Sequence, residues 1–222
     1  SNRSSVRGDE MAQKDSHYVP AFGIHWLTPF YDSFAKPFAD SFRRRLIQQA
    51  NIQPGQRVLD LGCGTGLLTI MLKRSIPDAR VTGLDGDEEV LNIARDKSRG
   101  TDIQWDHAFA TDLPYPDQSF DAVVSSFVTH HLTSADKART FQEVRRVLRP
   151  DGGFHIVDFG PPFNILTRAQ ASVMKNLERT VDNFAGRILP MLTEAGFGEV
   201  KEAGHVITFF GPVAFYRAVK GA

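Results

Sequence analysis

In the run Val58-Leu59-Asp60-Leu61-Gly62-Cys63-Gly64-Thr65-Gly66, an acid closes a short apolar stretch and three glycines follow at alternate positions. Together with the amphipathic residues after Gly66, this reads as a buried strand turning sharply into a helix. Glycine at such a turn lets a ligand come close to the backbone. The Gly-x-Gly-x-Gly spacing differs from the Gly-x-Gly-x-x-Gly of dinucleotide binders, because position 67 is leucine. Asp60 is a poor neighbour for a pyrophosphate and a good one for a cation, such as the amino or sulfonium group of S-adenosylmethionine (SAM). A tight turn with no ligand satisfies the same residues. A second acid, Asp85, ends the apolar run Val81-Thr82-Gly83-Leu84, nineteen residues beyond Gly66. A carboxylate there can accept both hydroxyls of a ribose, and Gly86 leaves the adjacent surface open. Capping the next helix is the competing role, but Asp87 is better placed for it.

These residues need a scaffold, and the pattern from residue 57 onward supplies one. Strands are expected near 57–61, 80–85, 103–107, 120–126 and 153–159, with helices at about 66–75, 87–98 and 134–149. Glu88 and Glu89 suit the positive start of the second helix. Thr133-Ser134-Ala135-Asp136 resembles a capping box for the third, and Arg149-Pro150-Asp151-Gly152-Gly153 is expected to stop it. Alternating strand and helix implies a parallel sheet with right-handed crossovers and a ligand crevice where the strand order reverses. After Gly160-Pro161-Pro162, residues 163–183 read as a helical insertion, followed by a helix over 184–195 that Gly196 ends. Strands near 198–207 and 213–219, joined through Gly211-Pro212, form an antiparallel hairpin. The expected fold class is therefore α/β, a doubly wound sheet that is mostly parallel with one antiparallel strand near the C-terminal end.

The segments VLDLGCGTG (58–66), VTGLDGDEEVLNIAR (81–95), LPYPDQSFDAVVSSFVTHHL (113–132), EVRRVLRPDGGFHIVDF (143–159) and LTEAGFGEV (192–200) occur in this order over roughly residues 30–220. In that order and spacing the chain resembles the class I SAM-dependent methyltransferases, closest to the small-molecule branch with the ubiquinone/menaquinone biosynthesis C-methyltransferases. The resemblance implies a Rossmann-like sheet of seven strands and SAM as cofactor. It implies that Asp60, Gly62, Gly64 and Gly66 surround the methionine portion, with Cys63 contributing backbone contacts. Asp85 would hold the ribose, Gly86 would lie beside the adenosine, Ala110 and Thr111 would contact the base, and Ser125, Ser126 and Phe127 would line the far side near the sulfonium. Tyr31 would close over the methionyl end. One position departs from the family: Phe109 stands where an aspartate usually accepts from the adenine amino group. A phenylalanine can only stack on or edge the ring; Asp106 or Asp112 would have to substitute by a shifted register.

Methyl transfer from a sulfonium is an in-line displacement with a neutral leaving group, so alignment in a dry pocket carries most of the acceleration. A base helps when the acceptor carries a proton. His130, just past the fourth strand, is the catalytic candidate; a loop histidine bonded to backbone is the plainer reading, and the stronger one for His131. His25 is a third candidate. Phe163, Ile165, Leu166, Met174 and Leu177 in the insertion, with Phe22 and Trp26, offer apolar lining for a small hydrophobic or aromatic acceptor, or simply seal the sheet. Phe30, Phe34, Phe38, Phe42 and Leu46 recur every fourth residue and form one packed helical face.

Composition narrows the classes further. Lys plus Arg equals Asp plus Glu at 26 each, a balance that argues against a partner bound through its phosphates. The single cysteine excludes an internal disulfide or a thiolate cluster, and no His/Cys/Asp grouping has metal-ligand spacing. No apolar stretch reaches the length of a membrane span. The expectation is a cytoplasmic monomer or homodimer that touches neither nucleic acid nor membrane. Residues 1–17 are read as a disordered tail and 18–222 as one domain, with lid helices over 18–50 and a substrate-cap insertion over 160–183. A SAM-binding protein of the same fold without transferase activity is the alternative, and an NAD-binding oxidoreductase a more distant one.

Overall fold

The computed structural model describes residues 28–165, 167–168, 180–208 and 211–221, with side chains from residue 39. Seven strands form one sheet: β1 (Arg57–Leu61), β2 (Arg80–Asp85), β3 (Ile103–His107), β4 (Phe120–Ser126), β5 (Leu148–Phe159), β6 (Glu199–Thr208) and β7 (Gly211–Val219). Their order is β3-β2-β1-β4-β5-β7-β6. The first five run parallel, and β7 runs antiparallel between β5 and β6. The Gly-Pro hairpin thus returns the last strand into the sheet, as the short connection required. From β1 the chain moves outward to β2 and β3, then crosses back to β4 and β5. The carboxyl ends of β1 and β4 therefore flank the switch point, where a crevice must open.

Alternation along each strand divides the core between the two faces. Val58, Val124, Val157 and Phe215 pack on one side with Phe42 and Leu46 of α1 (Thr28–Ala50) and Leu68 and Leu72 of α2 (Leu67–Ser75). Leu59, Leu61, Val123 and Phe154 pack on the other with Phe141 and Val144 of α4 (Ser134–Val147), together with Leu192. Phe42 and Leu46 are buried, as the four-residue spacing predicts; Phe30, Phe34 and Phe38 have side chains outside the described residues. Asp87 caps α3 (Glu88–Lys97), accepting from the Glu89 amide at 2.8 Å. Thr133 caps α4, accepting from the Asp136 amide and donating to its carboxylate. Among the described residues no helix is long and apolar enough to cross a membrane.

Two elements differ from the sequence expectation. The segment Arg149–Gly152 does not leave the sheet. Phe120 pairs with Leu148 and Ala122 with Gly153, so the extra residues form a bulge inside β5, with Asp151 left-handed at φ 61°. The expected helix over 184–195 is shorter: α6 spans only Ile188–Glu194, and Phe184 belongs instead to the short α5 (Val181–Phe184) at the end of the insertion. Gly186 between them is left-handed at φ 71°, a conformation that ends one helix and re-aims the next. The tail 1–17 lies outside the described residues, as do parts of the lid and cap segments.

Candidate active site

After Leu61 the chain turns away from β1, and the amides of Gly62 and Cys63 both donate to the Leu84 carbonyl of β2, at 2.8 and 3.0 Å. Gly62 and Gly64 are left-handed at φ 70° and 52°. A Cβ at Gly62 would collide with Val128, whereas one at Gly64 would project into open space. Only glycine makes this turn without strain while keeping backbone atoms exposed at its crest. The Gly64 amide donates to Asp85 Oδ2 at 2.8 Å, and the Asp87 amide to Asp85 Oδ1 at 3.0 Å. One carboxylate thus ties the glycine turn to the end of β2, and each oxygen keeps lone-pair capacity for a further donor.

The crevice at this point has a volume of about 350 Å³, within the range of small-molecule sites. Asp60, Gly62, Cys63 and Gly64 line it from β1 and the turn, and Asp85 and Gly86 from β2. Ala110 lines it from the loop after β3, and Ser126 and Phe127 from the end of β4. Gly66 and Thr111 are not among the lining residues. Gly66 is the left-handed cap of α2, and a Cβ there would strike Trp105 and Ala94; its smallness serves packing. Ser125 is buried, donating to the Leu61 carbonyl. The side chain of Tyr31 lies outside the described residues, as do Phe22, His25, Trp26, Leu166, Met174 and Leu177.

Burial, the largest influence, lifts the Asp60 carboxyl to about 7 against the Thr69 hydrogen bond and the Arg43 charge, which act to lower it. Thr69 Oγ1 donates to it at 2.6 Å. Asp85 is also raised, chiefly by burial, although the Gly64 and Asp87 amides oppose the shift. Burial and the two nearby carboxylates push the Cys63 thiol up, so it is neutral at physiological pH. Two carboxylates that resist ionising favour a cationic guest, because its charge compensates the one they are reluctant to hold alone.

At the other end of the crevice, Phe127 is left-handed at φ 57°, and its amide donates to the Val157 carbonyl at 2.8 Å. A bulky residue held there is a strained position of the kind found at ligand sites. A 3-10 turn, Thr129–His131, follows. His130 Nδ1 lies 2.7 Å from Asp158 Oδ1 at the end of β5, and Asp158 is fully buried. Asp158 also accepts from Thr129 Oγ1 and from the amides of His130 and Phe159. Burial works to raise this carboxyl, but the His130 charge and the hydrogen bonds from His130, Thr129 and Phe159 outweigh it and hold it below the usual range. His130 is buried and does not line the crevice; His131 does, with its ring centroid 3.9 Å from that of His130. Burial, with the His130 charge next, lowers His131 to about 4, leaving it neutral at physiological pH.

Sequence reasoning missed Arg43 and Asp158, and it ranked His131 below His130 although His131 is the one that lines the crevice. Arg43 reaches the crevice from α1, and nothing in an Arg43-Arg44-Arg45 run distinguishes the one that turns inward. Asp158 did carry a signal: like Asp60 and Asp85, it ends an apolar strand. Asp106 and Asp112 do not line the crevice.

A protein-family model described as a methyltransferase domain matches residues 58–152. Demethylmenaquinone methyltransferase from Lactobacillus johnsonii is 31% identical over 215 residues, covering 82% of this chain and 87% of that protein. The ubiquinone/menaquinone biosynthesis C-methyltransferase UbiE of Vibrio parahaemolyticus is 33% identical over 158 residues, or 69% of this chain. The chain spans only 56% of that relative's length. Among solved structures, phosphoethanolamine N-methyltransferase 2 of Haemonchus contortus in complex with S-adenosyl-L-methionine has a TM-score of 0.63 at 15% identity, over 90% of this chain and 61% of that one; this likeness speaks to the fold alone. Glycine turn, paired carboxylates and switch-point crevice fit an adenosyl sulfonium, and with these relatives they show that the chain belongs to the class I SAM-dependent methyltransferases, with SAM as its cofactor.

Proposed function

We propose that the acceptor is a small hydrophobic or aromatic molecule carrying an ionisable ring hydroxyl, methylated at carbon in the manner the names of the quinone-biosynthesis relatives describe. The observation that carries this reading is the buried Asp158–His130 pair beside the crevice, walled by Phe127 and Phe159. The His130 ring lies 5.0 Å from Phe159 and 6.4 Å from Phe127, centroid to centroid. Rings at these separations form an apolar surface suited to a flat acceptor.

When bound, SAM supplies an electrophilic methyl group on a positively charged sulfur. In this reading Asp85 accepts from the ribose hydroxyls, and the exposed backbone of Gly64 passes close to the methionine chain. Asp60 provides negative potential beneath the cation, and Arg43 pairs with the ligand's carboxylate. Ser126 and Phe127 border the reacting end. The acceptor's hydroxyl reaches past His131 at the crevice wall to the buried His130, which takes its proton as the ring carbon becomes nucleophilic, and Asp158 steadies the imidazolium so formed. His131, neutral, adds no charge to repel the sulfonium.

The test is incubation with methyl-labelled SAM and a panel of demethylated hydroquinones and other phenols, with products read by mass spectrometry. A labelled carbon-methylated ring is the expected result. Label found only on the hydroxyl oxygen, or no labelled product from any phenol, overturns this reading.

A further inference from the structure

The purine end of the crevice, beyond the ribose-binding position of Asp85, is formed by Gly86, Ala108, Phe109 and Ala110. None of these side chains can accept a hydrogen bond. Phe109 is 56% exposed, and its ring covers Gly86: a Cβ on Gly86 would stand 3.0 Å from both Cδ1 and Cε1 of that ring. Neither neighbouring carboxylate is turned to this end of the crevice. The Asp106 carboxylate receives Tyr115 Oη at 2.8 Å and the Gln104 amide at 2.8 and 3.1 Å. Asp112 is exposed and outside the crevice. The Phe109 carbonyl accepts from the Asp112 amide at 3.1 Å, and the His107 ring pairs with the Gly86 carbonyl at 3.0 Å.

We propose that Phe109 reads the base by apolar contact in place of a hydrogen-bond acceptor, so that the site takes adenosyl ligands whether or not the exocyclic amine is alkylated. The inference rests on the crevice being the adenosyl site. A pocket built to hydrogen-bond an N–H rejects an analogue lacking it, because its own acceptor is left unpaired. A ring at an open rim leaves no acceptor unpaired. The adenine amine keeps its water, and an alkyl group on it gains contact with the ring.

The experiment is calorimetric titration of the whole chain with S-adenosylhomocysteine and with its N6,N6-dimethyl analogue, which has no N–H on the exocyclic nitrogen. The wild-type protein is expected to bind the two within about threefold of each other. Phe109→Asp and Phe109→Asn each supply an acceptor and are expected to favour the unmodified ligand by about tenfold or more. A wild-type preference for the unmodified ligand of about tenfold overturns the proposal while leaving the cofactor site intact. Failure of both variants to acquire selectivity overturns Phe109 as the determinant. Absence of binding by S-adenosylhomocysteine itself overturns the adenosyl site, and this inference with it.

Discussion

Where β1 and β2 end, the crevice presents backbone amides, a glycine crest and two carboxylates on neighbouring strands; where β4 and β5 end, it presents the rings of Phe127 and His131, backed by a buried Asp–His pair. The first region is held by contacts between main chain and acid, such as the Gly64 amide on Asp85. Nearly all of it comes from one turn and the strand beside it. The second is assembled from separate stretches: Phe127 and His130 after β4, Asp158 and Phe159 on β5, and Asn183 on α5. Asn183 Nδ2 donates to Thr129 Oγ1 and to the Phe159 carbonyl. A common cofactor can be gripped by backbone geometry, which survives much side-chain change. An acceptor must be chosen by side chains, and these can be exchanged without disturbing the turn.

The contrast breaks most sharply if both ends answer alike to substitution. His130→Ala is expected to lower turnover by about 100-fold, with affinity for S-adenosylhomocysteine unchanged; parallel turnover and calorimetric measurements check this. Rescue by a more acidic acceptor would sharpen the role of the pair, and loss of cofactor affinity would erase the division between the two ends.

Asp85→Ala removes the tie between the two strands as well as the ribose acceptor. Affinity should fall by at least about tenfold, read by calorimetry, while unchanged affinity would discard the ribose role.

The smallest expected effect is on pH dependence. Asp60 titrates at about 7 in the fold against an ordinary 3.8. The native state therefore holds its proton across that window, and the unfolded state does not. Stability contributed by this group declines as pH rises between the two values. The sulfonium of SAM above Asp60 favours its ionised form, so affinity for SAM should increase about fivefold from about pH 6 to about pH 8. In Asp60→Asn that increase should vanish, and its persistence would assign the titration to another group.

The strands around the glycine turn were readable because local patterns encode them. An apolar run closed by an acid marks both β1 and β2, and Asp87 is a cap by position alone. The bulge in β5 was not, because Arg-Pro-Asp-Gly-Gly is equally good turn chemistry whether the chain leaves a sheet or kinks within it. The break at Gly186 was hidden for a similar reason: one helical period spans 184–195, and the left-handed glycine that re-aims it becomes visible only against its neighbours. His130 was picked out by its place after β4. Its partner was not, since 28 residues separate His130 from Asp158 along the chain.

Spacing by itself thus determined the sheet, the glycine turn and the acids that face a cationic nucleoside, since each depends on residues within a few positions of one another. Tertiary structure alone decided which arginine of α1 turns inward, which of two adjacent histidines meets the crevice and which is paired with a buried carboxylate, and that Phe109 lies on Gly86. Those outcomes depend on which surfaces distant elements bring together, and no local pattern records them.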